Sequence, residues 1–284
     1  MAAAAVRAAV QAAARLGLVC QDPAVLADGA NVIVYLSPAP VVAKVAASTR
    51  EVRPDPGAWL QRELDLAQWL HQAGLPVAEP SPDVPATVHR AGGQVMTFWR
   101  YQPPAGDTRP DEATFGALLR DLHHALRGYP GPAEPLAPLQ DIPAYLARPQ
   151  THISRERIAA LTAAYHHLTA ELAAAAPSTE SQPLHGDAGF GNLLPTPAGG
   201  WVWLDFEDTC TGPRAWDLAA STASPRLDAA RILAGYGDPV DPQQLEICQQ
   251  LRLLHLTVWY QLYAERLPAL RPRAAALLAR WPPG

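Results

Sequence analysis

The chain has 284 residues, with 27 acidic against 22 basic side chains and a formal net charge of −5 at pH 7. No apolar run reaches the roughly 18 residues that a membrane-spanning helix needs, and no basic run offers a surface to nucleic acid, so we expect neither partner. Three scattered cysteines without a C-x-x-C pair, Cys20, Cys210 and Cys248, argue against a disulfide framework or a zinc site and fit a reducing cytoplasm.

The first third of the chain is predicted to be a helix followed by β-strands. Residues 2–16 are rich in Ala and lack the apolar core of a signal peptide, so we predict a helix there. Asp28-Gly29 is a hairpin signal, and the β-rich segments 32–36 and 41–46 are separated by a turn. Lys44 lies inside the last of these apolar strands. Because an unpaired buried ammonium is costly, Lys44 either faces a cleft with a partner or lies in solvent on an edge strand.

Helix and strand patterns continue towards the middle of the chain. Residues 56–71 carry apolar side chains at helical spacing. Two strands, 86–89 and 94–99, are predicted around the two-residue turn Gly92-Gly93, and residues 100–106 have the composition of a linker. Further on we predict a helix from Arg109, a Pro-rich loop at 128–143, and helices at 153–175, 226–236, 242–267 and 271–280.

The stretch from Leu184 to Ala219 carries the chemistry-bearing residues. Its apolar run W-V-W-L predicts a buried strand, and T-P-A-G-G at 196–200 predicts a turn before it. A hairpin there would bring Asn192 and Asp205 to the same end. An amide oxygen and a carboxylate that converge in this way suit Mg²⁺.

The order of motifs in this stretch points to phosphoryl transfer. His185-Gly186-Asp187 with Asn192, then Asp205-Phe206, then Asp217-Leu218-Ala219, resembles the aminoglycoside phosphotransferase and choline kinase superfamily. Gly stands where protein kinases have Arg, which favours the small-molecule branch. The family's D-F-G reads D-F-E here, which weakens a protein-kinase interpretation further.

The resemblance implies an α+β, protein-kinase-like bilobal fold. We expect a small β-rich N-terminal lobe at 1–99, a linker at 100–106 and a larger, mainly helical C-terminal lobe at 107–284. It also implies transfer of the γ-phosphoryl group of ATP or GTP, with Mg²⁺, to a hydroxyl of an aminoglycoside-like antibiotic or amino-sugar. A kinase of a sugar or amino-alcohol and a non-catalytic pseudokinase remain open, as does the choice between monomer and dimer.

The resemblance assigns roles to individual residues. Asp187 becomes the catalytic base, Asn192 and Asp205 the metal ligands, and Lys44, paired with Glu63, the ligand of the α- and β-phosphates. The alternative for Glu63 is a solvated helix face. Residues expected to support the catalytic loop are His185 and Asp217. Residues expected at the nucleotide are Asp28, Gly29 and Asn31 over the phosphates, with Phe98, Trp99 and Arg100 offering backbone groups to the base.

The acceptor site is the least specified by motifs. Residues that the family's layout places near an acceptor are Glu207, Asp208, Trp259, Tyr263 and Glu265, although packing in the core is the more usual role of such aromatic residues. From Tyr101 onward there are 19 acidic residues against 14 Arg, and an acidic lobe suits a cationic acceptor. Composition gives separate support: the only lysine is Lys44 and the only asparagines are Asn31 and Asn192, all at positions that a kinase needs.

Overall fold

The computed structural model describes residues 1–103, 105–149, 152–175 and 181–282; Pro104, in the predicted linker, lies outside these ranges. The chain divides into two compact units. The first contains Met1–Arg109 and Asn192–Glu207, and the second contains Pro110–Gly191 and Asp208–Gly284. The β-rich first unit and helical second unit agree with the α+β class expected from the sequence. The division differs from the expected lobes in two places: the first unit continues through the predicted linker 100–106 to Arg109, and Asn192–Glu207 joins it.

A five-stranded antiparallel sheet, in the order β1-β2-β3-β5-β4, forms most of the first unit. The strands are β1 (Cys20–Asp28), β2 (Asn31–Pro38), β3 (Val41–Ala46), β4 (His89–Ala91) and β5 (Gln94–Arg100). Gly92 and Gly93, with φ of 54° and 72°, form the predicted turn between β4 and β5. Strand β4 begins three residues later than the predicted strand 86–89 and continues to Ala91. The Val88 N–H, just before it, donates to the side chain of Gln61 at 3.1 Å instead of to a neighbouring strand.

Two helices, α1 (Ala2–Arg15) and α2 (Pro56–Gln72), cover opposite faces of this sheet. The alanines of α1 pack in one core cluster with Ala43 and Val45 of β3. Leu64 of α2 packs in a second cluster with Val42. Because side chains alternate along a strand, Lys44 shares the face of Val42 and points towards α2.

A hairpin of β7 (Leu193–Pro195) and β8 (Trp201–Trp203) explains why Asn192–Glu207 belongs to the first unit. The Trp203 N–H donates to the Pro76 carbonyl at 2.9 Å, and the Ala78 N–H donates to the Trp203 carbonyl at 2.8 Å. These bonds attach β8 to the segment after α2. The predicted turn is present, with the Thr196 N–H donating to the Gly200 carbonyl at 2.9 Å.

The second unit is built from helices and one small sheet, β6 (Gln182–Leu184) paired with β9 (Cys210–Gly212). Its helices are α3 (Glu112–Leu126), α4 (Asp141–Leu146), α5 (Arg155–Ala175), α6 (Ala215–Thr222), α7 (Ala229–Tyr236), α8 (Pro242–Arg266) and α9 (Arg271–Leu278). Helices α3 and α7 approach closely at glycine: a Cβ on Gly116 would lie 2.1 Å from the Ile232 carbonyl oxygen. None of the helices in the described part of the chain is both long and apolar enough to cross a membrane.

The Pro-rich segment 128–143, predicted as a loop, contains short stretches of regular structure in its second half. Pro135 bridges to Thr211, a 3₁₀ turn spans Ala137–Gln140, and α4 begins at Asp141. Pro143 lies within the first turn of α4. Proline is tolerated there because the N–H groups of a first turn have no intrahelical acceptor.

Candidate active site

Lys44 is the buried centre of a charged cluster in the first unit. Its Nζ lies 2.9 and 2.8 Å from the two carboxylate oxygens of Glu63, so the predicted ion pair is present. Nζ also lies 2.5 Å from Asp205 Oδ1 and 2.9 Å from Glu207 Oε2. Lys44 and Glu63 are 5% and 2% exposed, which rules out the solvent-facing alternatives for both. Asp205 adopts φ of 64°, a left-handed conformation that is uncommon outside glycine and often occurs at functional sites.

Glu207, the residue that replaces the glycine of D-F-G, is fully engaged in this cluster. Its Oε1 accepts from Arg53 Nη1 at 2.9 Å, and its Oε2 accepts from Asn31 Nδ2 at 2.5 Å. Arg53 is buried, with its guanidinium 3.7 Å from the centre of the Trp59 ring. Glu207 therefore links the start of β2 and the segment before α2 to the Asp-Phe-Glu segment. Both carboxylate oxygens of Glu207 thus have partners within the cluster, and the acceptor-binding role expected from the family layout stays a prediction.

The cluster holds three carboxylates, of Glu63, Asp205 and Glu207, against two cations, Lys44 and Arg53. Burial raises the pKa of Glu63 to about 8; Lys44 acts in the opposite direction, and the neighbouring carboxylates add to the rise. The Lys44 pKa is raised well above its ordinary value, because the three carboxylates outweigh the effect of burial. One carboxylate charge in excess of the cations thus favours uptake of a proton by the cluster.

The donor chemistry of this cluster fits a hard divalent cation. One oxygen from each of Glu63, Asp205 and Glu207 lies within 4.8 Å of the others. Asn192 lies at the same end of the β7–β8 hairpin as Asp205. The Leu204 N–H donates to the Asn192 carbonyl oxygen at 2.9 Å, and Asp205 is the residue after Leu204. Carboxylate and amide oxygens are the ligands that Mg²⁺ and Ca²⁺ prefer, and a divalent cation would offset the excess negative charge.

The H-G-D loop of the second unit, defined as residues 185–188, is held by Asp217 of α6. Asp217 Oδ2 accepts from the His185 N–H at 2.9 Å, and Oδ1 accepts from the Gly186 N–H at 2.9 Å. Gly186 has φ of 88°, and a Cβ there would lie 1.8 Å from the Asp208 carbonyl oxygen. This position therefore requires glycine unless the backbone moves.

His123 of α3 completes the support beneath this loop. It is fully buried, with Nε2 3.0 Å from Asp217 Oδ2 and Nδ1 2.8 Å from the Tyr236 hydroxyl. Burial alone would raise the pKa of Asp217, but the bonds and charges of His123 and His185 lower it overall. The carboxylate that holds the loop is therefore kept ionised.

Asp187 projects from the loop, and its side chain is 46% exposed. Its N–H donates to His185 Nδ1 at 3.3 Å. Its Oδ1 accepts a short hydrogen bond from Arg252 Nη2 of α8. The candidate base is thus ion-paired within its own unit, a feature that the motifs did not predict.

The residues predicted to bind nucleotide differ in how far their side chains are exposed. Asn31 is buried in the cluster, while Asp28 is exposed and the Gly29 N–H donates to the Asn31 carbonyl at 3.0 Å. The side chains of Phe98 and Trp99 are buried in core clusters, so they leave only backbone groups for a nucleotide base. Arg100 Nε pairs with Glu79 at 3.2 Å.

The aromatic residues considered for an acceptor pocket pack within the second unit. Trp259 is 7% exposed, and its Nε1 donates to Asp141 Oδ2 at 3.2 Å. Tyr263 packs against it, with ring centres 5.4 Å apart. Glu265 accepts from the Tyr145 hydroxyl at 3.1 Å. These contacts match the core alternative for Trp259, and an acceptor-binding role for Tyr263, Glu265 and Asp208 stays a prediction.

Sequence reasoning missed Arg53 and Arg252. Arg252 lies in the run L-R-L-L-H-L of α8, and a charge within an apolar helix carries the same signal that marked Lys44. Arg53 precedes α2 in the polar stretch R-E-V-R-P-D, where nothing local separates it from a surface arginine.

A strand lysine paired with a helix glutamate beside an Asp-Phe segment, together with an H-G-D loop, defines a kinase-type phosphotransferase. The profile of the phosphotransferase enzyme family matches residues 26–248, and the chain belongs to this family. No curated protein sequence matches the chain.

Solved structures share the fold at low sequence identity. The amicoumacin kinase hAmiN, in complex with AMP-PNP, Ca²⁺ and Ami, aligns with a TM-score of 0.72 and 16% identity over 96% of this chain and 91% of that chain. A microcompartment-associated aminopropanol kinase aligns at 0.70 and 18%, over 95% and 94%. The GDP and kanamycin complex of APH(2")-IIia aligns at 0.65 and 13%, over 96% and 97%. The fold is therefore the protein-kinase-like α+β fold of small-molecule kinases.

Proposed function

We propose that this phosphotransferase moves the γ-phosphoryl group of ATP or GTP to a hydroxyl of a small, amine-bearing acceptor, an aminoglycoside-like antibiotic or related amino-sugar. The observation that carries the proposal is the buried Lys44–Glu63 pair beside Asp205. Such a pair positions nucleotide phosphates in kinases, and every other motif position holds a residue competent for the reaction.

In the proposed reaction the acceptor oxygen attacks the γ-phosphorus, and the bond from that phosphorus to the β–γ bridging oxygen breaks. The hydroxyl proton passes to Asp187, and the products are a phosphate ester and a nucleoside diphosphate. Asp217 holds the loop that carries Asp187 through two backbone N–H groups. Catalysis then depends mainly on positioning and charge stabilisation.

Lys44 would bind the α- and β-phosphates, with Glu63 fixing its ammonium group. A divalent cation, Mg²⁺ by its preference for oxygen ligands and phosphate, would be held by Asn192 and Asp205, with Glu207 as a further oxygen donor. When bound, that cation supplies positive charge to phosphate oxygens. Arg53 and Asn31, which hold Glu207, keep this donor in place.

The charge of the chain favours a cationic acceptor. Its excess of acidic residues lies after Tyr101, where 19 acidic residues stand against 14 Arg, and complementary charge raises the local concentration of a cationic ligand. An amino-alcohol kinase is the second candidate, supported by the fold shared with an aminopropanol kinase. Inactivation of an antibiotic in the cytoplasm would be the biological role under the first candidate.

Release of nucleoside diphosphate from Mg-ATP and Mg-GTP tests the proposal. The acceptor panel contains kanamycin, spectinomycin, other amino-sugars, aminopropanol, choline and simple sugars, and Asp187→Asn provides the blank. Turnover with an amino-sugar, absent from the blank, is the expected result. Turnover only with aminopropanol or choline would favour the second candidate. Nucleotide binding without turnover of any acceptor would favour a pseudokinase.

A further inference from the structure

Asp217 fixes the backbone of the H-G-D loop through two hydrogen bonds, and the guanidinium of Arg252 contacts the carboxylate of Asp187 that projects from it. We propose that Arg252 is a positioning residue for phosphoryl transfer, which holds the carboxylate of Asp187 and the loop backbone with one guanidinium. This inference rests on the proposed function. It assigns a role to a residue that lies 65 positions from Asp187 and outside every motif.

The geometry gives Arg252 two separate contacts in the loop. Its Nη2 donates to Asp187 Oδ1, and its Nη1 donates to the Gly186 carbonyl oxygen at 3.1 Å. A guanidinium can make both bonds at once because its donors form a rigid fork, whereas an ammonium is a single point of charge. Side chain and backbone are therefore held in one fixed relation.

Arg252 is itself held rigidly. Its side chain is 11% exposed, and its guanidinium lies 5.0 Å from the centre of the Trp216 ring. Trp216 Nε1 donates at 2.8 Å to the same Gly186 carbonyl that Arg252 contacts. Since α8 is anchored by buried residues along its length, Arg252 transmits the rigidity of that helix to Asp187.

The neighbouring carboxylates favour the charged form of the Arg252 guanidinium. Burial acts to lower the pKa of Arg252, but Asp187, Asp208 and Asp217 outweigh it, and the pKa is raised overall. Because the contacts of Arg252 are to the base and to the loop backbone, loss of Arg252 should lower kcat, through misplacement of the base, with little change in the KM of either substrate.

The test compares Arg252→Gln and Arg252→Lys with wild type. Arg231→Gln on α7, which removes an exposed arginine whose Nη2 lies 3.6 Å from Asp111, is the matched control. We expect Arg252→Gln to lower kcat by about 10- to 100-fold, since small misplacements of reacting groups cost this much. Arg252→Lys should recover part of the loss, and Arg231→Gln should behave as wild type.

Chemical rescue separates positioning from a general loss of structure. Adding methylguanidinium to Arg252→Ala should restore part of kcat, and methylammonium should restore less, because only the fork makes both contacts. If Arg252→Gln fails to fold, Arg252→Lys takes its place in the comparison with wild type. The kcat of folded Arg252→Lys must then fall below that of wild type. An unchanged kcat in folded Arg252 variants, or a rise in acceptor KM alone, would overturn the proposal.

These kinetics are measured with the panel acceptor that wild type phosphorylates. If wild type phosphorylates none of them, the assay is hydrolysis of Mg-ATP, with water as the acceptor. A wild-type protein without any nucleotide turnover would mean that the proposed function fails, and the role of Arg252 with it. An active wild type with equally active Arg252 variants would mean that only the positioning role fails.

Discussion

The excess negative charge of the Lys44 cluster should make the stability of the metal-free protein depend on pH. In the folded state the pKa of Glu63 is raised to about 8 from an ordinary value of 4.5. Between these two values the folded protein keeps a proton that the unfolded chain has released. Its stabilising effect is complete below about pH 4.5, and stability falls as pH rises towards 8.

The size of this pH dependence follows from the single proton that the cluster holds in the folded state and releases on unfolding. Each pH unit inside this window changes the free energy of unfolding by up to about 1.4 kcal/mol. For a chain of this size, 1 kcal/mol shifts Tm by about 2–4 °C. Metal-free protein should therefore lose up to about 3–6 °C per pH unit between pH 5.5 and 7.5 from this cluster alone.

Thermal melts in EDTA across this range measure the slope. Glu63→Gln should flatten it, because two carboxylates then balance two cations, and Glu207→Gln should do the same. Glu246→Gln, at an exposed position of α8, is the matched control and should keep the wild-type slope. Saturating Mg²⁺ should also flatten the slope, because the proposed metal site would place the cation where the proton is held. Equal slopes for wild type and Glu63→Gln would refute the reasoning.

Three further variants test the packing that supports the site. Gly116→Ala should destabilise the protein by about 1–3 kcal/mol in urea melts, since its Cβ would clash with the Ile232 carbonyl at 2.1 Å; a neutral result would show that α3 and α7 can separate without cost. Asp217→Ala leaves two buried loop N–H groups without an acceptor, so we expect a loss of about 2–6 kcal/mol and a lower kcat, and wild-type values would contradict its bracing role. Lys44→Met should cost about 3–5 kcal/mol in EDTA, measured by the same melts, and a stable variant would show that the carboxylates can relax into solvent.

The sequence predicted those parts of the fold and site that depend on local signals. The turn at 196–200 brings Asn192 and Asp205 to one end because apolar runs on both sides specify the hairpin. Lys44 was predictable because a charge in an apolar strand demands a partner, and Glu63 lies on the adjoining helix. In each case, neighbouring residues carry the information.

Contacts between segments that are distant in the chain could not be predicted from local sequence signals. Glu207 and Arg53 are 154 residues apart, and their pairing depends on how the Asp-Phe-Glu segment packs against the start of α2. The membership of Asn192–Glu207 in the first unit depends on hydrogen bonds from Trp203 to the chain after α2. Tertiary packing sets these contacts, and a single sequence carries no spacing rule for them.

Transfer of the γ-phosphoryl group to a small molecule, with Asp187 as base, is the central claim. Its most direct test is a single-turnover reaction with γ-labelled Mg-ATP or Mg-GTP and the amine-bearing acceptors, run with wild type and Asp187→Asn, with nucleotide affinity measured by calorimetry on both. We predict label in the small-molecule fraction with wild type, at least about 10²-fold less with Asp187→Asn, and similar nucleotide affinity for the two proteins. Near-normal transfer by Asp187→Asn, or label in no small molecule although both proteins bind nucleotide, would contradict the account.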